Sequence, residues 1–134
     1  MSVRLSAALS VWFVRLLAAA TAAYTAILLF ATHHPKPGDL VGELTHRDKT
    51  LHFTAYGLLG LLVAATIAAA ARLSPRTVVA AVGGLVAFAA VDELTQPLFG
   101  RSTELLDWVF DAAGIVAGFA AVLAVWAAVR RWAS

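Results

Sequence analysis

Four stretches of about twenty apolar residues, each closed by charges, prolines or histidines, leave this 134-residue chain few folds to choose from. The first runs from about Leu9 to Ala31, is interrupted near its start by Arg15, and is closed by His33, His34 and Pro35-Lys36-Pro37-Gly38. The second, Leu51 to Ala71, holds one histidine and no full charge, and Arg72, Ser74-Pro75 and Arg76 end it. The third spans Thr77 to Leu98 only if Asp92 and Glu93 lie inside it; cut at Val91 it keeps fifteen residues, short for a crossing. The fourth, from about Leu105 to Val129, carries Asp107 and Asp111 in its first two turns and stops at Arg130-Arg131. A hydrocarbon core of ~30 Å takes about 20 helical residues, so four crossings use roughly 80. A hydrophobic fraction of 61% supplies that number with little to spare, and the charged fraction of 13% is about half the soluble norm. The expectation is an all-α bundle of four transmembrane helices, about 9–31, 51–71, 77–98 and 105–129, forming one domain over residues 1–134.

The N-terminal stretch also has the ingredients of a signal peptide, since Arg4 and Arg15 precede the apolar run from Leu16 to Phe30. Because three further spans follow, it is expected to be an uncleaved helix. Basic residues set the orientation of such a chain. With the N-terminus in the cytoplasm, Arg4, Arg15, Arg72, Arg76, Arg130 and Arg131 lie inside, against Lys36, Arg47, Lys49 and Arg101 outside. All eight acids (Asp39, Glu43, Asp48, Asp92, Glu93, Glu104, Asp107 and Asp111) then fall on the outer side. Both termini are therefore expected in the cytoplasm. A formal charge of +2 is too small for a nucleic-acid partner, and the absence of cysteine excludes a disulfide framework, a thiolate nucleophile and a Cys-ligated zinc. Ala68 to Ala71, Gly83-Gly84 and Gly114-x-x-x-Gly118 permit close helix contact in lipid. Intramolecular packing is the first expectation for them, with a homodimer seam as the other use. Trp12, Trp126 and Trp132 near the inner ends and Trp108 near the outer end fit an aromatic belt.

The chemistry is concentrated at the outer helix ends. Lys49, His52, Tyr56 and Gly60 share one stripe of the second helix. Asp92 and Gln96 share a face at the end of the third, with Glu93 turned about 100° away. Pro97 disfavours helix at Gln96 and is expected to turn the chain outward, with Arg101 following. Asp107, Asp111, Gly114 and Gly118 line the fourth helix. An acid well inside a span costs ~2.5–3.5 kcal/mol on the insertion scale, and intramembrane ionisable groups facing a bundle interior usually mark a site. Asp48, Asp92, Glu93, Glu104, Asp107 and Asp111 outnumber Arg47, Lys49 and Arg101. The surplus calls for protonated carboxyls, a charged His52, a ligand amine, or a hard divalent cation such as Mg²⁺ or Ca²⁺. Lys49 and Arg101 suit a phosphate or carboxylate. His52 beside an aspartate is a candidate general base, although a lone histidine on a helix stripe is more often a packing residue. Adjacent His33 and His34 point in different directions and are expected to be a solvated interfacial pair.

Asp48-Lys49-x-x-His52-Phe53-x-x-Tyr56-x-x-Leu59-Gly60, then Asp92-Glu93-x-x-Gln96, Gly100-Arg101, and Asp107-x-x-x-Asp111-x-x-Gly114-x-x-x-Gly118 together resemble the VanZ family of bacterial membrane proteins. The resemblance covers about residues 48–118, with several blocks in order. It departs at Asp111, where the family usually has asparagine, which adds an ionisable group to the cluster. The resemblance implies a multi-pass protein of the bacterial plasma membrane with its motif residues at the outer face, in a family named for association with teicoplanin resistance. It does not supply a reaction.

Two functional classes follow. In the first, Asp48, Lys49, His52, Tyr56, Asp92, Glu93, Gln96, Arg101, Asp107 and Asp111 line a pocket for an amphiphile, such as a lipid-linked wall intermediate or a lipoglycopeptide. In the second, His52 with Asp92 or Asp111, with or without a metal, forms an intramembrane hydrolase or transferase acting on a lipid-linked substrate. No serine or cysteine stands beside that pair, so water would attack. A transporter is more remote, since one four-helix chain shows no internal repeat.

Overall fold

A computed structural model describes residues 2–35 and 48–132, with side chains from Ser10 onward. Lys36, Asp39, Glu43 and Arg47, and the Arg4 side chain, whose placement the sequence suggests, lie outside the described residues. The described chain is all-helical: α1 Ser2–Thr32, α2 Asp48–Ala69, α3 Pro75–Thr95, a single 3-10 turn Gln96–Phe99, and α4 Leu105–Trp132. Four segments are long and apolar enough to cross a membrane: Ser10–Thr32, Asp48–Ala69, Pro75–Phe99 and Leu105–Trp132. The expected spans are found, with ends shifted. α2 begins three residues early because Asp48 occupies its first turn, where a carboxylate favours the helix dipole. α4 continues through Arg130 and Arg131, which suit a helix C-terminus.

The connections follow local backbone chemistry. Ser74 is extended, its hydroxyl accepts from Thr77 N at 3.1 Å, and Pro75 opens α3, where its missing N–H is no loss. α2 ends in a Schellman turn, with Arg72 N bonding Ile67 O and Ala71 N bonding Ala68 O, both at 3.0 Å. Its left-handed residue is Ala71 at φ 54°, a position that usually takes glycine. The outward turn expected before Pro97 does not occur. Gln96 stays in the right-handed helical region, and the 3-10 turn carries the chain on to Gly100, whose φ of 78° makes the reversal. Gly100 N then bonds Pro97 O and Arg101 N bonds Gln96 O, which sends Arg101 back over the bundle.

α2 and α4 form the central pair, with α1 packed on α2 and α3 on α4. The sorting of side chains inverts that of a soluble bundle. Leu16, Val79, Leu94 and Leu105 are all at least 66% exposed, whereas Asp92, Gln96 and Asp111 are at most 2% exposed. A hydrocarbon surround accounts for both halves of that pattern. The apolar core is small: Tyr56, Leu59 and Ala64 of α2, Ala89 of α3, Ile115 and Phe119 of α4, and Leu28 of α1. Trp12 and Trp132 face outward, under Arg15 in the case of Trp12, but Trp108 turns inward and donates to Val86 O of α3 at 3.1 Å. The structure thus gives it the role of an interhelical tie.

The central pair meets backbone to backbone. A Cβ on Gly114 would overlap the Phe53 carbonyl oxygen, and one on Gly118 would overlap the Gly57 carbonyl oxygen and Leu61 N. One on Gly60 would lie 2.7 Å from Ile115 O. Gly114-x-x-x-Gly118 is therefore used within the chain, as packing in lipid favours. Among the described residues, nothing lies within 4 Å of where a Cβ on Gly83 or Gly84 would stand. Gly118→Ala is expected to destabilise the fold by about 1–3 kcal/mol through overpacking. Gly83→Ala should be neutral, or stabilising by up to about 1 kcal/mol. Reversible unfolding in mixed micelles reads both; equal stabilities for the two variants would refute the seam.

Candidate functional site

One end of the bundle gathers the C-terminus of α1, the N-termini of α2 and α4, and the last turn of α3 with its 3-10 extension. The close approach of α2 and α4 sets the geometry. One and two turns beyond the Gly60/Gly118 contact, Tyr56 and His52 on α2 come opposite Gly114 and Asp111 on α4. His52 Nδ1 donates to Asp111 Oδ1 at 2.9 Å, and the other ring nitrogen, Nε2, lies 3.8 Å from Asp48 Oδ1 and from Asp107 Oδ2. Both nitrogens of this buried ring thus face carboxylates. Lys49, one turn above, bonds Asp107 Oδ1 and Glu104 Oε2, the latter at 2.6 Å, with Asp48 Oδ2 at 3.5 Å.

α3 contributes two acids that face different partners. Asp92 Oδ2 accepts from the Tyr56 hydroxyl at 2.7 Å, and Asp92 Oδ1 accepts from the Thr32 hydroxyl at 2.9 Å. His33 Nδ1 stands 3.4 Å from Asp92 Oδ1 while donating to Leu29 O at 2.9 Å. Glu93 Oε2 accepts from Gln96 Nε2 at 2.9 Å, and Glu93 Oε1 accepts from Glu104 N, the backbone leading into α4, at 2.6 Å. Gln96 is on the same side as Glu93 as well as Asp92, because all three are buried where the helix tightens into the 3-10 turn. The turn at Gly100 places Arg101 Nη1 on the Thr32 carbonyl at 2.9 Å.

All ten residues singled out from sequence lie at this end, in two connected groups. Asp48, Lys49, His52, Asp107 and Asp111 form one across α2 and α4, with Glu93 beside it. Tyr56 and Asp92 form the other with the end of α1. The expected sharing of an anion by Lys49 and Arg101 meets a different geometry: Lys49 is engaged by acids, whereas Arg101 lies against the end of α1. His33 is a correction. It is not a solvated partner of His34 but bonds Thr95 at 2.9 Å through Nε2 and stacks edge-on against Phe99 at 4.6 Å. Thr32, His33, Thr95, Thr103 and Glu104 were not singled out as site residues. Only Glu104 carried a signal, as a charge in the connection to α4; the threonines look like ordinary helix-end residues.

Asp111 is the exception to an otherwise well-satisfied network. It is 1% exposed, and its Oδ2 has no hydrogen-bond partner among the described residues. Donor atoms of His52, Glu93 and Asp111 lie within 4.8 Å of one another, as do those of Asp48, His52 and Asp107. No family model matches the chain, and neither a curated protein nor a solved structure does so.

Tyr56→Phe removes one of the two hydroxyl donors of a buried carboxylate, which is expected to destabilise the protein by about 1–3 kcal/mol. Thr54→Val, at a hydroxyl that among the described residues bonds the backbone of its own exposed helix face, serves as the control and should be near neutral. Unfolding midpoints of the two variants in the same mixed micelles test the assignment, and a neutral Tyr56→Phe would contradict it.

Proposed function

We propose that this chain is a VanZ-like, multi-pass protein of the bacterial plasma membrane whose polar end faces outward and binds an amphiphilic ligand of the cell envelope. Both termini are cytoplasmic in this reading, following the distribution of basic residues. The ligand class is a lipid-linked wall intermediate or a lipoglycopeptide, the latter being the connection to teicoplanin-type resistance. The observation that carries the proposal is Arg101. Its guanidinium stands at the rim of a carboxylate-rich cluster, and among the described residues its hydrogen bond goes to a neutral carbonyl, that of Thr32. A guanidinium so placed retains planar donors suited to phosphate or carboxylate, while the acids beneath suit an amine. Exposed apolar residues around it, Phe99 and Leu98 on the 3-10 turn and Leu105 at the start of α4, offer lipid-like surface to an acyl or polyprenyl chain.

The His52–Asp111 contact favours a second reading, a water-using hydrolase or transferase. A base must direct a nitrogen at the proton that it removes. Here both His52 nitrogens are directed at carboxylates, which is the arrangement of a positioning or ligating residue. The binding reading is therefore preferred.

Two measurements test it. The chain has no cysteine, so single cysteines report sidedness without background. Ser102→Cys should react with an impermeant maleimide on intact cells and Arg76→Cys only after permeabilisation; the reverse pattern would place the cluster in the cytoplasm. Native mass spectrometry of protein released from membranes, with a polyprenyl-diphosphate amphiphile and a lipoglycopeptide as added probes, should show adducts. Arg101→Glu should abolish them. Unaltered adducts in an Asp92→Ala/Arg101→Ala double variant would defeat the proposal, and probe turnover lost in His52→Ala would establish the enzyme instead.

A further inference from the structure

We infer that His52, Glu93 and Asp111 hold one divalent transition-metal cation, of the Zn²⁺ or Mn²⁺ type, at the junction of α2, α3 and α4. The inference goes beyond amphiphile binding and does not require it.

Three observations carry it. The first is the donor set. One imidazole and two carboxylates, contributed by three different helices, offer ligand atoms that all lie within 4.8 Å of one another. Metal–ligand bonds of about 2.0–2.2 Å put neighbouring donors roughly 3.4 Å apart in a tetrahedron. The 2.9 Å between His52 Nδ1 and Asp111 Oδ1 would open by about half an ångström as the metal takes the place of the shared hydrogen, and a carboxylate that chelates through both oxygens would bring Oδ2 onto the same ion.

The second is the orphaned oxygen. Asp111 is 1% exposed, and its Oδ2 lacks a hydrogen-bond partner among the described residues, although its other oxygen is bonded within the cluster. A buried carboxylate oxygen left bare is expensive, and buried carboxylates ordinarily complete their coordination with donors or a cation. Glu93 is built differently. Each of its oxygens accepts one hydrogen bond, from Gln96 Nε2 and from Glu104 N, so both retain a lone pair and are held in fixed directions. Such outer contacts are what orient a metal-ligating carboxylate.

The third is charge. Asp48, Glu93, Asp107 and Asp111 surround His52, and Lys49 is the one lysine or arginine among the described residues that bonds to any of them. A cation at the Nδ1 side of His52 offsets the excess where burial is deepest. The imidazole also discriminates among cations, because Mg²⁺ and Ca²⁺ prefer oxygen-only sites whereas Zn²⁺ and Mn²⁺ accept mixed nitrogen and oxygen donors. The alternative position, at Nε2 between Asp48 and Asp107, is less favoured: Asp107 already holds Lys49, and Asp48 is partly exposed.

The test uses the full chain in lipid nanodiscs, stripped with chelator and re-equilibrated with Zn²⁺, Mn²⁺ or Mg²⁺ in the absence of any amphiphile. Elemental analysis should find about one Zn²⁺ or Mn²⁺ per chain and no retained Mg²⁺. Asp111→Asn and Glu93→Gln, which preserve shape, should each weaken binding at least tenfold, whereas Asp48→Asn should leave it within twofold. X-ray absorption at the zinc edge of the wild-type protein should show a single imidazole among oxygen donors, a readout that does not depend on how variants fold. Fewer than one tenth of a cation per chain would overturn the inference, water then satisfying Asp111. So would wild-type affinity in Glu93→Gln with loss in Asp48→Asn, which would move the ion to the other side of the ring. Arg101→Glu should leave metal content unchanged, so loss of amphiphile adducts and loss of the cation remain separate results.

Discussion

The backbone contact between α2 and α4 is the constraint on which the rest of the structure depends. Lipid gives helices no hydrophobic reason to associate, so close packing and interhelical hydrogen bonds must supply it. Gly57, Gly60, Gly114 and Gly118 let the two backbones meet at the crossing, and carbonyls of one helix then rest against glycines of the other. That proximity has a consequence one to two turns away. Short aspartate side chains on α4 reach an imidazole on α2 without an intervening layer, which produces the 2.9 Å contact between His52 and Asp111. A wider crossing would leave room for lipid tails or water and no defined pair.

Four carboxyls, those of Asp92, Glu93, Asp107 and Asp111, are 1–4% exposed or nearly so in this end of the bundle. In surroundings of low polarity each must be matched by donors, because an unmatched one costs more than the hydrogen bonds of its neighbours return. The matching is uneven in an instructive way. Asp92 has two hydroxyls and a nearby imidazole, Glu93 an amide side chain and a backbone N–H, and Asp107 an ammonium. Among the described residues Asp111 has one ring nitrogen as partner and one oxygen without a partner. The deficit lies where α2, α3 and α4 each bring a donor, from His52, Glu93 and Asp111, within 4.8 Å of the others.

Much of this was legible in the chain. The spans follow from hydropathy, because a helix in lipid needs only length and apolarity, and the acids that spoil the third and fourth runs identify the polar end. The stripes of α2 and α4 follow from the helical repeat, and the structure buries His52, Tyr56 and Asp111, which lie on them. What periodicity could not reveal depends on backbone turns and on neighbours remote in sequence. Gln96 remains helical despite Pro97 because a 3-10 turn tolerates proline at its second position and moves the reversal to Gly100. Ala71 takes a left-handed conformation that its residue type disfavours, so nothing in the sequence marks it. Thr32 and His33 read as the polar hem of an apolar run, yet they serve Asp92, sixty positions away.

α1 shows why that last pairing matters. Its apolar residues Trp12, Phe13, Leu16, Ile27 and Phe30 are mostly exposed, and among its described residues Leu28 joins the core, with Tyr24 packed against it. Packing therefore does little to fix its rotation or its height against α2. Polar contacts do so instead: Thr21 with Thr66 at 3.3 Å, the Tyr24 hydroxyl on Ala55 O at 2.8 Å, Thr32 on Asp92, and Arg101 on Thr32 O. Interhelical hydrogen bonds in membranes contribute only about 0.6 kcal/mol each on average, up to about 2. A set of four is enough to select one register while leaving α1 the least tightly held of the helices. The helix most open to lipid is thus fastened at the polar end by the same threonine that serves both Asp92 and Arg101. Changes at the rim of the cluster reach α1 through Thr32 and the adjacent His33.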